Sequence, residues 1–139
     1  MNKFISLLFI PGVLFCHSVM ARSPAPDDAA AYIISPAAGA VVKNPVTIQF
    51  GLKGMGVAPA GIDKPNTGHH HLLIDVAGIP SLEGPVPKDD HHRHFGGGQT
   101  EASLELPPGK HTLQLLFGDK DHVPHDPPVM SEKITITVK

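Results

Sequence analysis

The chain has 139 residues, long enough for one domain with one modest core. Its hydrophobic fraction of 41% against 17% charged residues excludes a disordered chain, and its formal net charge of -2 removes the usual reason to expect nucleic acid or an anionic membrane as a partner. Fifteen Pro and 14 Gly punctuate it too often for long helices, so an all-β domain with generous loops is expected.

The first segment reads as a processing signal. Lys3 supplies positive charge, and Phe4 to Cys16 is apolar apart from Ser6 but short for a membrane span. Val19-Met20-Ala21 offers acceptable residues before a cut, so residues 1–21 are expected to be a signal peptide and the mature protein to be periplasmic or secreted. Bulky Phe15 argues against lipoprotein processing at Cys16. That residue is the only cysteine, so the mature chain has neither a disulfide nor a thiolate ligand. Its fold must rest on its core, or on its core plus a metal.

Residues 22–31 read as a flexible lead-in, and residues 32–139 as the domain. Tyr32 to Ser35 is a short first strand, ended by Pro36. Val46, Ile48, Phe50 and Leu52 then alternate with Thr47, Gln49 and Gly51. A strand over 70–77 carries Leu72, Ile74 and Val76 on one face, and a weak strand is expected near 85–90. Further alternation marks strands over 101–106, 110–117 and 132–138, the first two joined by the turn Pro107-Pro108-Gly109. This pattern predicts an immunoglobulin-like antiparallel β-sandwich of about seven strands.

The sequence holds ten histidines, of which only His17 falls in the leader. His69, His70 and His71 open the 70–77 strand. His91, His92 and His94 precede the 101–106 strand, and His122 and His125 follow the 110–117 strand. If the weak strand exists, these three clusters lie on loops at one pole of the sandwich and converge there. His111 falls at the other pole, on the core face after a turn, and reads as structural.

Neutral imidazole is a good ligand for copper, zinc and nickel. Strand alternation puts His69 and His71 on one face and His70 on the other, so the i, i+2 pair can serve one ion. The first candidates for metal ligands are His69, His71, His94, His122 and His125, with His70, His92 and Asp119 in second rank. His70 has an alternative reading as an edge-of-core residue, and Asp119 or Asp121 could orient an imidazole instead of binding. A site without cysteine favours Cu(II) over Zn(II) at equal availability, so Cu(II) is the expected cofactor and Zn(II) the alternative. Gly96-Gly97-Gly98 has neither the strand-to-helix setting nor the following lysine of a phosphate loop. It lets backbone turn tightly or approach the histidines.

Four strings, Gly68-His-His-His-Leu-Leu-Ile-Asp75, His92-Arg-His-Phe-Gly-Gly-Gly-Gln-Thr-Glu101, Leu106-Pro-Pro-Gly-Lys-His-Thr-Leu-Gln-Leu115 and His122-Val-Pro-His-Asp-Pro-Pro-Val129, resemble a bacterial exported family, domain of unknown function 4399. The resemblance runs from Tyr32 to Lys139 and implies export and one small domain. It supplies no activity.

The residues themselves point to a histidine-rich copper carrier, buffer or resistance factor in the periplasm. Its partners would be a metal ion and another periplasmic metal-handling protein, with no nucleic acid and no membrane after signal cleavage. Two other classes compete. One is a metal-dependent redox or hydrolytic enzyme, comparable to the histidine-bearing superoxide dismutase sandwiches. The other is a non-metal ligand or adhesion module, which the scarcity of aromatic residues disfavours. No nucleophile-elbow context surrounds Ser103 or Ser131, and no catalytic residue is assigned.

Overall fold

A computed structural model describes residues 21–139; residues 1–20 of the expected signal peptide lie outside the described part. The described chain is all-β and contains β1 (Ala30–Ser35), β2 (Val41–Val42), β3 (Val46–Lys53), β4 (Gly56–Val57), β5 (Thr67–Ile74), β6 (His92–His94), β7 (Glu101–Leu104), β8 (Gly109–Gly118) and β9 (Ile134–Val138). They form two sheets in a sandwich. One is β1-β3-β7; the other runs β2-β9-β8-β5-β4, with β6 also paired to β5.

The alternating residues of the sequence build the space between the sheets. Ile48 and Phe50 of β3 meet Leu72 and Ile74 of β5, Leu113, Leu115 and Phe117 of β8, and Ile136 and Val138 of β9 in one buried cluster. Each set has the two-residue period that brings every second side chain to one face.

The second face of the larger sheet is also covered. Leu73 of β5 and Leu116 of β8, both at most 2% exposed, pack there with Val86, Val76 and Met130 from the loops 75–91 and 119–133. The backbone N–H of Val86 donates to the carbonyl of His122, joining those two loops over the sheet (2.9 Å). β5 is therefore buried from Gly68 to Ile74, and β8 from Leu113 to Gly118.

This cover corrects the expectation of a strand near 85–90, where the structure has none. Pro80, Pro85 and Pro87 remove ladder donors from the segment, and it closes over the sheet face instead of extending it. The second histidine cluster supplies the strand: His92–His94 is β6, paired antiparallel to β5 with His71 opposite His94. The 70–77 strand also shifts to Thr67–Ile74, ending where Asp75 takes a left-handed backbone (φ 58°). The histidine triplet thus sits inside a strand with partners on both sides, not at its mouth.

Residues 22–31, read from the sequence as a flexible lead-in, make defined contacts. Pro24 bridges Asp126, the N–H of Ala25 donates to the Asp126 carbonyl, and that of Asp126 donates to the Ser23 carbonyl. The Arg22 guanidinium meets Asp126 and Glu83, one residue from each covering loop, and β1 already begins at Ala30.

Candidate metal centre

Strand geometry sets the first two ligands. His69 and His71 alternate with Gly68, His70 and Leu72, so their rings leave β5 on the covered outer face while His70 enters the space between the sheets. Opposite them, β8 presents Gly118 to His69 and Leu116 to His71. β6 adds His94 beside His71, and the turn after β8 adds His122. One potential ligand nitrogen from each of His69, His71, His94 and His122 lies within 4.8 Å of all the others. All six ring pairs among them have centroids between 4.7 and 6.0 Å apart.

Two glycines make this crowding possible. A Cβ on Gly118 would lie 2.7 Å from His71 Cε1 and 3.3 Å from the carbonyl carbon of His122. A Cβ on Gly96 would lie 2.2 Å from His94 Cε1 and 2.5 Å from its Nε2. Each glycine lets an imidazole lie against bare backbone. Gly118 was not picked out from the sequence. A lone glycine at the outward-facing end of an apolar run was the available signal.

His122 takes its place through Asp119. One carboxylate oxygen of Asp119 accepts the backbone N–H groups of Asp121 (2.9 Å) and Val123 (3.0 Å). The His122 N–H donates to the Asp119 carbonyl, and the Asp119 N–H to the Val123 carbonyl, at 2.9 Å each. This turn holds His122 in a left-handed conformation (φ 68°).

The electrostatics suit neutral ligands. Burial lowers His69 to about 4 and His71 to about 3, and the neighbouring imidazoles of the cluster push the same way. His94 is lowered too, first by burial and then by His122 and Lys88. Several nitrogens are buried with no hydrogen-bond partner: His69 Nδ1, both ring nitrogens of His71 and His94 Nε2. His69 Nε2 and His122 Nδ1 share one bond at 2.9 Å. Buried nitrogens without partners are costly unless something occupies their lone pairs, and neutral imidazoles grouped around one point fit a transition-metal ion.

The other candidates lie elsewhere. His125, 1% exposed, stacks on Phe117 at 5.8 Å, and its Nε2 donates to the Thr67 carbonyl at 3.3 Å. It lines a separate cavity of about 260 Å³ with Ser23, Asn66 and Lys120. His70 sits between Phe50 and Phe117 in the core, lowered by burial to about 4. His92 pairs with Asp89 through Nδ1 (2.8 Å), and Asp119 spends its carboxylate on Ser23 and the turn. His111 is clamped at both ring nitrogens, by Asp75 and by the Pro107 carbonyl, at 2.7 Å each.

Comparison of the chain with curated proteins and with solved structures finds no match. The model of one family, a domain of unknown function (DUF4399), matches residues 48–139, a stretch that includes all four clustered histidines. With about two thirds of its length matched, the chain belongs to the DUF4399 family.

Proposed function

We propose that this protein is exported and binds one transition-metal ion through His69, His71, His94 and His122, serving the periplasm as a copper carrier or buffer. The observation that carries the reading is the convergence of four imidazole nitrogens within 4.8 Å from three separate segments. Those four side chains would hold the ion, and the ion would bring Lewis-acid or redox chemistry to the outer face of the sheet. The apolar stretch from Phe4 to Cys16 supports export.

Cu(II) is favoured over Zn(II) because the general affinity order for an all-nitrogen site peaks at copper. His94 and His122, only half-buried, give the side from which another periplasmic protein would deliver or take the ion.

The decisive experiment titrates the metal-free mature protein with Cu(II) and with Zn(II) against competing chelators. One tight ion per chain is expected, with Cu(II) preferred, lost in His71→Ala and His94→Ala and retained in His125→Ala. Micromolar or weaker binding that ignores His71 and His94 would overturn the reading. N-terminal sequencing of the protein from a periplasmic fraction tests the compartment.

A further inference from the structure

The four histidines do not position themselves equally. His69 and His71 are fixed by β5 and its partners, and His94 by the ladder between β6 and β5. His122 belongs to no strand, and its left-handed backbone is an unfavourable conformation for a residue with a Cβ. Something must hold it there.

The holding contacts run through Asp119 to the amino-terminal segment. Asp119 is 8% exposed, and its two carboxylate oxygens divide their work. Oδ1 accepts the N–H groups of Asp121 and Val123, the residues on either side of His122. Oδ2 accepts the hydroxyl of Ser23 at 2.7 Å, from a residue 96 positions away. Ser23 is held in turn by the Asp126 N–H on its carbonyl and by the flanking bonds of Ala25 and Arg22 to Asp126. Arg22 also reaches Glu83, and the same loop donates the Val86 N–H to the His122 carbonyl. Residues 22–25 therefore form a strap tying down both loops beside His122.

We infer that Ser23 and Asp119 are positioning residues for the metal centre, and that the strap Arg22–Ala25 holds His122 in its ligating conformation. The inference rests on the metal-binding reading for its consequence, but not for its geometry. Without the Ser23 hydroxyl, Asp119 Oδ2 loses its partner and the carboxylate can rotate away from the turn. His122 then relaxes out of the left-handed region, and the ion keeps three ligands in place of four. Loss of a group that orients a ligand typically weakens metal binding by about 10–100-fold.

The test compares wild type, Ser23→Ala, Ser23→Thr and Asp119→Asn as full mature chains. With Cu(II) as probe, Ser23→Ala should bind about 10–100-fold more weakly and show an altered electron paramagnetic resonance spectrum, reporting a changed nitrogen set. Ser23→Thr, which keeps the hydroxyl, should restore both. In metal-free protein, amide exchange at Asp121 and Val123 should quicken about tenfold in Ser23→Ala and stay at the wild-type rate in Ser23→Thr. Unchanged exchange in Ser23→Ala overturns the strap as a positioning device. Faster exchange with an unchanged copper spectrum and affinity overturns the assignment of that device to the metal centre. If wild type binds no copper, the functional reading fails alone, and exchange still decides whether the strap fixes His122.

Discussion

Replacing Gly118 with alanine adds one methyl group at the back of the proposed metal centre. The new Cβ would start 2.7 Å from His71 Cε1 and 3.2 Å from its Nδ1, against the 3.4 Å at which ordinary contact begins. Restoring ordinary contact needs a shift of about 0.7 Å between the ring and the new Cβ, and the carbonyl carbon of His122 lies only 3.3 Å from that Cβ as well. Either group that yields belongs to a proposed ligand. Metal–nitrogen distances tolerate only about 0.2 Å, so the displaced imidazole leaves the ion. A loss of at least about 10–100-fold in Cu(II) affinity follows, or roughly 1.4–2.7 kcal/mol. Overpacking lowers the stability of the metal-free fold by about 1–3 kcal/mol. The assay is a chelator-competition titration beside a urea melt, with Gly78→Ala as control because nothing lies within 4 Å of its added Cβ. Copper affinity equal to wild type in a folded Gly118→Ala protein would refute the placement of His71 and His122 around one ion.

Three further outcomes follow from the same geometry. Gly96→Ala, whose Cβ collides with the His94 ring, should lose copper affinity on a scale similar to His94→Ala, and an undiminished affinity would show that His94 is not a ligand. The metal-free protein should weaken in acid. His69 and His70 are lowered to about 4 and His71 to about 3, so the unfolded chain takes up protons that the native one refuses. The stability they confer is complete above about pH 6.5 and falls as pH drops towards 4, by up to about 1.4 kcal/mol per pH unit for each histidine. Urea midpoints that stay flat from pH 7 to 4.5 would contradict this. His70→Leu should leave copper binding unchanged and raise stability by about 1–3 kcal/mol, because both His70 ring nitrogens are buried without partners. A drop in copper stoichiometry would instead draw His70 into the site.

The fold was legible where one face of a strand was apolar and the other was not. β3 and β9 carry that alternation plainly, with Ile48 and Phe50 inward between Thr47 and Gln49. β8 misleads: Leu116 falls at an outward position, yet it is fully buried, because loops distant in sequence cover it. No local pattern announces such a cover. The i, i+2 spacing placed His69 and His71 on one face, but His122 and His125 look equivalent in sequence. What separates them is backbone: Asp119 turns His122 towards the cluster, while His125 stacks on Phe117 from the opposite side of the sheet. An aspartate three residues before a histidine is a turn signal, and it carried that information in muted form.

The register between β5 and β8 has a kinetic consequence. His69 lies opposite Gly118, so His122 reaches the cluster only after strands about fifty residues apart in sequence have paired. Closing such a loop is a slow, entropically opposed step, and an ion offers no help until most of the sheet exists. A metal bound at the proposed centre would therefore be a late passenger, not a folding nucleus. An unfolded chain would offer an ion only the local histidine runs 69–71 and 91–94, and the four-histidine set of His69, His71, His94 and His122 would exist only in the finished sandwich.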